Sequence, residues 1–290
     1  MSDSDGISVV LCVRNAATTV GEQLEGLSRQ TFQSWELILV DNGCTDATLE
    51  VVDSWLPQLP SVTVVRAHER AGLAYARNVG VAAANRAAIA FCDGDDVVDA
   101  NWLSALWDAL QSADHVGGHL DVTGLNDADT VYWRTGSPTE DGLYRAHGYL
   151  PHPIGANFAV WRTVYLDVGG CDEQFVICSD DVDLSWRIQR AGGSLGYTPD
   201  AIVQYRLRSS LRQAARQQWT YGRAEARLFK KYRTEMRRPA LSQALQEWIR
   251  VLPRIDRFFR GRRLRGAWVC FIAYRAGRIR GGLEHHVAWW

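Results

Sequence analysis

Patterns typical of strands and of helices alternate strictly through the first part of the chain, and this alternation limits the folds open to it. Short apolar runs typical of buried strands each precede an amphipathic stretch. The predicted strands are 7–13, 35–40, 62–65 and 87–92, and the predicted helices are 16–30, 46–55, 71–84 and 101–110. Strict alternation implies right-handed crossovers and a parallel sheet covered by helices on both faces. We therefore expect an α/β fold with a Rossmann-like, mostly parallel sheet flanked by helices.

The rest of the chain changes character twice. Residues 116–209 are less regular and rich in Gly, Pro and aromatic residues, which suits a region that shapes a substrate site. Residues 210–290 are predominantly helical in pattern. Their predicted helices are 211–232, 241–259 and 267–279, with breaks at Pro239, Pro253 and Gly261. We expect residues 1–115 and 116–209 to be two halves of one domain, followed by a C-terminal helical extension.

The net charge of −1 conceals a strong asymmetry. Residues 1–200 contain 11 arginines, no lysine and 28 acidic residues, a net charge of −17, whereas residues 201–290 contain 21 basic and 5 acidic residues, a net charge of +16. Arginines mixed with large apolar residues can hold a helix in a membrane surface. The basic tail could equally fold against the acidic body, and both alternatives stay open. Nucleic-acid binding is disfavoured because no recognised binding module accompanies the charge.

Cysteine usage and targeting signals favour a cytoplasmic protein. The six cysteines form no CxxC pair, and several lie within apolar runs, as reduced core residues do. The acidic start lacks the basic and apolar regions of a signal peptide. No apolar run approaches the roughly 20 residues that span a bilayer. We expect a cytoplasmic location, with contact to the inner face of the membrane as the alternative that the basic tail leaves open.

An acidic turn, Asp-Gly-Asp-Asp at 93–96, follows directly after the predicted strand 87–92. Ligands of open α/β sheets bind beyond the carboxyl ends of strands, and clustered carboxylates there are costly unless a cation shares the site. Mg²⁺ or Mn²⁺ suits such a set, since these ions bind one or two carboxylates together with water and a diphosphate. A solvated turn that caps the next helix is the alternative. An EF-hand calcium loop is disfavoured because Gly94 and Ser104 stand at the wrong positions.

Polar side chains also stand at the carboxyl ends of the first two predicted strands. Arg14 and Asn15 follow the first strand, and Asp41 follows the second. An ionised carboxylate offers only hydrogen-bond acceptors, so Asp41 suits the donor groups of a nucleobase or ribose. Arg77 lies among small residues of the predicted helix 71–84, where its guanidinium could reach phosphate or base. These four residues are the candidate nucleotide ligands.

Three further segments complete an ordered set of motifs. They are 155–162 (GANFAVWR), 168–175 (VGGCDEQF) and 179–187 (SDDVDLSWR). In this order and spacing, residues 7–231 closely resemble family 2 glycosyltransferases of the GT-A fold. The resemblance implies an inverting enzyme that transfers a sugar from a nucleoside-diphosphate-sugar donor to an acceptor hydroxyl. It implies that residues 1–115 form the nucleotide-sugar half and residues 116–209 the acceptor half of the domain.

Residue roles follow from this resemblance by position. Asp93 and Asp95 match the DxD motif that binds Mg²⁺ or Mn²⁺ at the donor diphosphate, and Asp181 matches the catalytic base. Gln204 stands where many members have a histidine that completes the metal site, and an amide oxygen is a weaker ligand for a hard ion. Residues 213–217 keep the Gln and Arg of the signature of processive members but lack its Trp, which favours transfer of a single sugar.

The acceptor half supplies a second group of candidates. Asn157, Trp161, Asp180 and Trp186 are the residues we expect to bind the acceptor. Large aromatic residues belong to cores as often as to sugar sites, and acidic residues at 180–183 also suit a helix N-terminus, whose dipole they complement. Asp180 and Asp183 are therefore alternates for the base. The sequence does not name the acceptor, and a lipid-linked hydroxyl is compatible with the basic tail.

Two other functions stay open beside the transferase. One is a non-catalytic protein of the same fold that binds sugar nucleotides, and Gln204 in place of the histidine is its support. The other is a nucleotidyltransferase on a related sheet, although no convincing Gly-rich phosphate loop follows the first predicted strand.

Overall fold

The computed structural model of the protein describes residues 5–134, 136–145, 148–176, 178–237 and 240–289. These residues belong to two compact units. The sheet unit comprises the described residues within Met1–Asp121, Pro138–Tyr144 and Pro151–Tyr205, and the helical unit comprises those within Val122–Ser137, Arg145–Leu150 and Arg206–Trp290. The helical unit therefore includes two short segments from the middle of the sequence as well as the C-terminal region.

The described residues contain ten strands. In chain order they are β1 (Ile7–Val13), β2 (Trp35–Asp41), β3 (Val62–Arg66), β4 (Ala88–Asp93), β5 (Val97–Val98), β6 (His115–Asp121), β7 (Tyr144–Arg145), β8 (Pro151–His152), β9 (Asn157–Trp161) and β10 (Leu195–Gln204). Eight of them form one sheet in the order β3-β2-β1-β4-β9-β6-β10-β5. Most neighbours are parallel, but β9 runs antiparallel between β4 and β6, and β5 runs antiparallel to β10. The predicted mostly parallel sheet is confirmed.

Helices flank the sheet and make up most of the helical unit. In chain order they are α1 (Val20–Ser28), α2 (Thr48–Trp55), α3 (Leu73–Ala83), α4 (Trp102–Leu110), α5 (Ala128–Trp133), α6 (Arg162–Asp167), α7 (Asp180–Arg190), α8 (Leu211–Lys231), α9 (Leu241–Val251), α10 (Asp256–Phe259) and α11 (Arg262–His285). Short 3₁₀ turns lie at Leu56–Gln58 and Leu252–Ile255. The predicted α/β class with C-terminal helices is confirmed, and the expected break at Pro239 lies outside the described residues.

Each face of the sheet has its own apolar core, because successive side chains of a strand point to opposite faces. Leu11 of β1 packs on one face with residues of α1 and α4. Val10 packs on the other face with Ala76 of α3 and Ile188 of α7. Burial on both faces explains the nearly continuous apolar runs of the central strands. It also leaves the carboxyl ends of β1, β2 and β4 as the place where polar residues can gather.

In the helical unit, α8 and α11 pack with their backbones in close contact, and glycines permit this approach. A Cβ atom at Gly222 would overlap the carbonyl of Tyr274, and one at Gly277 would overlap the carbonyl of Trp219. α11 spans Arg262–His285 and is therefore longer at both ends than the predicted 267–279. No helix among the described residues combines the length and the apolar character that crossing a bilayer requires.

Candidate active site

The acidic turn lies at the carboxyl end of β4, near the middle of the sheet. β4 pairs in parallel with β1, and Cys12 stands opposite Asp93 in this register. One carboxylate oxygen from each of Asp93, Asp95 and Asp96 lies within 4.8 Å of the others. Three hard oxygen donors at this spacing suit a divalent ion such as Mg²⁺ or Mn²⁺. Asp96, which the sequence analysis left out of the metal site, belongs to the same cluster.

The structure places Gln204 beside the strand that leaves the acidic turn. Gln204 is the last residue of β10, and it pairs with Val97 of β5, the residue that directly follows the turn. Its side chain is only half-buried. An amide oxygen can bind a hard ion, so Gln204 stays a candidate fourth ligand.

Two side chains that the sequence analysis missed clamp the acidic turn from α1 and the residue before it. Gln23 is fully buried, and its Nε2 donates to the carbonyl of Asp93 (3.0 Å) while its Oε1 accepts from the amide of Val98 (3.0 Å). The hydroxyl of Thr19 donates to the carbonyl of Gly94 (3.1 Å). The available signal was Gln23 itself, a polar residue among the apolar positions of an amphipathic helix. A clamped turn presents its carboxylates with little loss of conformational entropy on binding.

Arg77 of α3 is buried and connects the acidic turn with the start of α7. Its Nη1 donates to Oδ2 of Asp180 (2.7 Å), and its Nη2 donates to the carbonyl of Gly155 (2.7 Å). Nη2 also lies 3.8 Å from Oδ1 of Asp93. The guanidinium therefore sits between two carboxylates that are far apart in sequence, in a position enclosed by protein. This placement favours an organising role within the site over the direct nucleotide contact expected from the sequence.

The acidic groups around Arg77 outnumber the single positive charge of its guanidinium. Burial opposes the charged guanidinium, but the carboxylates of Asp180 and Asp93 outweigh it and raise the pKa of Arg77. Burial raises the pKa of Asp93 to about 6, with Asp95, Asp180 and Asp181 adding to the rise and Arg77 opposing it. Burial, together with the charge of Asp181, also raises the pKa of Asp180 despite its bond to Arg77. One arginine does not neutralise this many carboxylates, which is the condition under which a cation binds well.

Asp181 lies at the first turn of α7 and is held by backbone amides. Its Oδ2 accepts from the amide of Gly155 (2.6 Å), and its Oδ1 accepts from the amide of Val182 (2.9 Å). A Cβ atom at Gly155 would lie 2.8 Å from Nη2 of Arg77 and 2.9 Å from Oδ2 of Asp181. Only glycine lets the chain pass this closely between the two side chains. Gly155 thus joins the candidate base to Arg77.

A cleft of about 280 Å³ lies next to the end of β1. Its lining comes from the ends of β1 and β2, from the start of α3 and from one loop residue, and comprises Cys12, Val13, Arg14, Asn42, Ala71, Gly72, Leu73, Ala76 and Val176. Apolar walls with a few polar groups are typical of small-molecule sites, and Arg14 is an exposed cation at this one. Burial raises the pKa of Cys12 to about 12, so its thiol stays protonated and is not a nucleophile here.

Asp41 and Asn15 are already engaged in local hydrogen bonds. Asp41 is buried, its Oδ1 accepts from the amide of Cys44 (2.8 Å), and its Oδ2 lies 2.6 Å from Nε2 of His68. Burial alone would raise the pKa of Asp41, but the bonds from Cys44 and His68 outweigh it and hold the pKa below its ordinary value. Oδ1 of Asn15 accepts from the amide of Thr45 (2.8 Å). His68, which the sequence analysis did not consider, is exposed and reaches the site through Asp41.

Three of the four acceptor candidates have structural contacts instead of an open face. Trp186 is fully buried in the core. Asn157 is also fully buried, and its amide bridges the indole of Trp102 and the carbonyls of His119 and Ala201. Trp161 packs against Trp107 and donates to the carbonyl of Leu110. A side chain without exposed surface offers no face to a sugar, so Trp186 and Asn157 are not carried into the proposal as acceptor ligands.

Asp180, the fourth candidate, is buried and bonded to Arg77 instead of facing solvent. Among the acids at the start of α7, Asp183 is also fully buried and accepts from Nε of Arg187 (2.8 Å). Asp181 is the least buried of the three. It is therefore the acid of this group best placed to receive a proton from a bound acceptor.

In the sheet, the antiparallel strand β9 is inserted beside β4, and the acidic turn lies at the carboxyl end of β4. These two features define an α/β protein of the GT-A class. The sequence profile of Glycosyl transferase family 2 matches residues 8–169, which is more than half of the chain. The protein belongs to this family, and the resemblance inferred from its motifs is confirmed.

Curated relatives support the same assignment. Glycosyltransferase AglE of Haloferax volcanii is 26% identical over 294 aligned residues, which cover 94% of this chain and 95% of AglE. Glycosyltransferase GlyG of Streptococcus pneumoniae is 33% identical over 135 residues, which cover 46% of this chain and 45% of GlyG. The chain thus matches less than half of GlyG but nearly all of AglE.

Solved structures share the fold at low sequence identity. A mannosyltransferase, PcManGT, from Pyrobaculum calidifontis in complex with GDP-Man and Mn²⁺ superposes with a TM-score of 0.58 at 19% identity, covering 97% of this chain and 77% of that one. Residues 1–349 of Staphylococcus aureus TarS in complex with UDP superpose with a TM-score of 0.55 at 16% identity, covering 94% and 92%. Likeness at this identity establishes the GT-A architecture.

Proposed function

We propose that the protein is a metal-assisted, inverting glycosyltransferase that moves a single sugar from a nucleoside-diphosphate-sugar to an acceptor hydroxyl. The observation that carries this proposal is the connection made by Arg77. It contacts Asp93 of the acidic turn (3.8 Å) and Asp180 (2.7 Å), and through Gly155 it supports Asp181. An acid suited to a metal and an acid suited to a proton are thereby held on one buried framework. Sugar transfer from a diphosphate needs this pair of functions.

Donor binding is assigned to the cleft and the acidic turn. Arg14 and Asn15 at the end of β1 would contact the diphosphate side of the nucleotide. Asp41 would contribute to nucleotide binding indirectly, through its bonded partner His68. Asp93, Asp95 and Asp96, with Gln204, would hold a divalent ion. Such an ion, when bound, supplies positive charge that stabilises the leaving diphosphate. No separate general acid is then required on the leaving-group side.

Acceptor activation is assigned to Asp181. As the acceptor oxygen attacks the anomeric carbon opposite the diphosphate, its O–H bond breaks and the proton passes to Asp181. The new carbon–oxygen bond forms while the sugar–phosphate bond breaks, and the anomeric configuration inverts. Both oxygens of Asp181 accept one amide each, and a carboxylate oxygen keeps a second lone pair for a further donor. A positioned base of this kind contributes about 10²- to 10⁴-fold in rate.

We assign the protein to the cytoplasm, at the inner face of the membrane, with the acceptor hydroxyl on a lipid carrier. Buried free thiols support the cytoplasmic part of this proposal, because Cys92, Cys171 and Cys270 lie in the interior as reduced residues and disulfides are rare in reducing compartments. The basic character of the C-terminal region supports the membrane part, since cationic segments are attracted to anionic lipids.

The test is the Asp181→Asn variant, which keeps the size of the side chain and removes its basicity. Nucleoside diphosphate release from GDP-mannose and from UDP-sugars is measured with Mn²⁺, with and without free and lipid-linked hydroxyl acceptors. We expect acceptor-dependent release to fall at least about 100-fold while nucleotide binding is retained. Asp167→Asn, an exposed acid of α6, is the matched control and should keep full activity.

The same assay separates the other two functions. A sugar-nucleotide-binding protein without catalysis releases no nucleoside diphosphate even in the wild type. A nucleotidyltransferase releases or consumes pyrophosphate instead. Full turnover by Asp181→Asn removes Asp181 from the role of base.

A further inference from the structure

A group of exposed apolar side chains is concentrated in α9, α10 and the turn between them. Thirteen large apolar residues are exposed in the described part of the chain, and six of them lie between 241 and 259. They are Leu241, Leu245, Ile249, Ile255, Phe258 and Phe259. Soluble surfaces usually scatter such residues singly, and a concentration of them marks an interaction site. We call residues 241–265 the apolar-basic segment.

The exposed residues of α9 lie on one face. Leu241, Leu245 and Ile249 are spaced four apart, which places them along one side of a helix. Ile249 is 68% exposed, so most of this face is open to solvent. In an amphipathic helix of a globular protein the apolar stripe normally faces the core. Here it faces outward, which indicates a partner that the helix meets from solution.

The chain after α9 carries further exposed apolar side chains. Phe259 is 77% exposed, the highest value among the large apolar side chains that the structure describes. Phe258 is anchored against Trp268 (6.2 Å between ring centroids) and under the guanidinium of Arg265 (5.2 Å). The segment therefore pairs a ring that is held by its neighbours with a ring that is largely exposed. Aromatic tips of this kind insert at the boundary between headgroups and acyl chains.

The apolar-basic segment carries a strong positive charge. Residues 241–265 contain seven arginines and two acidic residues, a net charge of +5. Arg254 and Arg260 are exposed, and Arg260 is paired with Asp256 (2.8 Å). Cationic groups beside exposed apolar side chains match an anionic lipid surface, where the two attractions add.

We propose that the apolar-basic segment is a docking surface for an anionic membrane. Charge complementarity selects this occupant over a second copy of the chain, because a symmetric dimer through this surface would bring two segments of charge +5 together. The exposed apolar rows select it over nucleic acid, since phosphate backbones reward arginine but not leucine or phenylalanine. Two weak attractions, apolar and ionic, give reversible binding of a protein to a membrane surface.

The test is flotation of the full chain with vesicles at fixed protein concentration in 0.15 M salt, about physiological ionic strength. Vesicles of phosphatidylcholine alone are compared with vesicles that contain about 30% phosphatidylglycerol as the anionic lipid. The variants are Ile249→Ser/Phe259→Ser for the apolar part and Arg254→Glu/Arg260→Glu for the ionic part. Leu283→Ser is the matched control, because Leu283 is 67% exposed and lies outside the segment.

We expect the wild type to float with anionic vesicles and to bind neutral vesicles at least about tenfold more weakly. Each double variant should lose at least about tenfold in partitioning, whereas Leu283→Ser should stay within about twofold of the wild type. Retained thermal stabilisation by GDP or UDP with Mn²⁺ shows that the variants are folded.

Several results would overturn the proposal. They are failure of the wild type to float with anionic vesicles, equal binding to neutral vesicles, and unchanged binding of both double variants. Tighter binding to an RNA duplex than to anionic vesicles would show that the basic residues of the segment bind nucleic acid. A dimer by light scattering that Ile249→Ser/Phe259→Ser disrupts would assign the surface to self-association. The inference rests on the proposed membrane location, and these results test that location, whereas vesicle binding requires no transferase activity and leaves the proposed reaction untouched.

Discussion

Arg77 contacts more of the proposed site than any other residue described above. It is a buried cation whose partners are Asp180, the carbonyl of Gly155 and, at 3.8 Å, Asp93. Its guanidinium also stacks over Phe91 and Phe158, at 5.4 and 5.8 Å from the ring centroids. A planar, permanently charged group can satisfy partners in several directions at once, and lysine cannot reproduce this arrangement.

Replacing Arg77 by Met should destabilise the protein by about 3–5 kcal/mol, because the carboxylate of Asp180 would be left buried without its partner. The measurement is urea unfolding followed by circular dichroism. Arg14→Met, at an exposed position, is the control and should change stability by less than about 0.5 kcal/mol. A loss below about 1 kcal/mol for Arg77→Met would show that Asp180 does not depend on this bond.

Gly155→Ala should damage catalysis more than donor binding. The added methyl group would lie 2.8 Å from Arg77 and 2.9 Å from Asp181, so the carboxylate has to move. Because a displacement of about 1 Å can cost about 100-fold in rate, we expect kcat to fall by about that factor. Gly21→Ala, whose methyl group would make only ordinary contacts at 3.6 Å, is the control. Unchanged kcat in Gly155→Ala would mean that Asp181 is not held through this glycine.

The sequence predicts which residues form the site better than it predicts the contacts between them. That Asp93, Asp95 and Asp96 share a turn follows from their adjacency and the preceding apolar strand. The bond between Arg77 and Asp180 joins residues 103 positions apart, and no local pattern encodes it. Gln23 is 70 positions from the carbonyl that it binds. The burial of Trp186 was equally open, because an aromatic residue on a helix packs inward or outward according to tertiary context.

At the scale of elements, a buried histidine of β6 connects this strand with α7 and with the residue that precedes β10. His115 of β6 contacts the hydroxyl of Ser185 in α7 through Nε2 (2.8 Å) and the carbonyl of Ser194 through Nδ1 (2.9 Å). Burial lowers the pKa of His115 to about 4, although the bond to Ser194 and the charge of Asp114 oppose the shift. The folded protein therefore keeps this imidazole neutral at pH values where the unfolded chain protonates it.

The contribution of His115 to the stability of the fold should fall as the pH drops from about 6.5, the ordinary pKa of histidine, toward about 4, the pKa of His115 in the fold. In this window the unfolded chain binds the proton and the folded chain does not. The loss from this residue amounts to at most about 3 kcal/mol. The measurement is the difference in unfolding free energy between wild type and His115→Gln as a function of pH, with His119→Gln as the control. A difference that does not vary with pH would contradict the neutral buried imidazole.

Which elements could be predicted depends on how local their causes are. The first four strands and helices were predictable because alternating patterns and turn residues lie within each unit. The sequence did not predict the insertion of β9 antiparallel to β4, since Phe158 and its neighbours form an apolar run that fits either direction. The predicted helix 267–279 falls short of α11 at both ends, where Gly266 packs against Trp133 and Gly281 against the backbone of α8, and no local pattern encodes these contacts. Contacts between residues far apart in sequence decide the last two cases.

At the scale of the whole molecule, the chain combines an acidic sheet unit that carries the candidate site with a basic helical unit that carries the apolar-basic segment. The charge asymmetry was visible in the sequence, whereas the outward orientation of Leu241, Leu245 and Ile249 required the structure. We propose that the sheet unit binds the donor and that the helical unit attaches the protein to the membrane.

The measurement that tests the central claim most directly is calorimetric titration of GDP and UDP with and without Mn²⁺. Wild type is compared with Asp93→Ala/Asp95→Ala and with the control Glu50→Ala/Asp53→Ala, which removes two exposed acids of α2. The account predicts that at least one nucleotide binds the wild type and the control about tenfold or more tightly with Mn²⁺, and that Asp93→Ala/Asp95→Ala loses this dependence. Undiminished Mn²⁺-dependent affinity in Asp93→Ala/Asp95→Ala would contradict it.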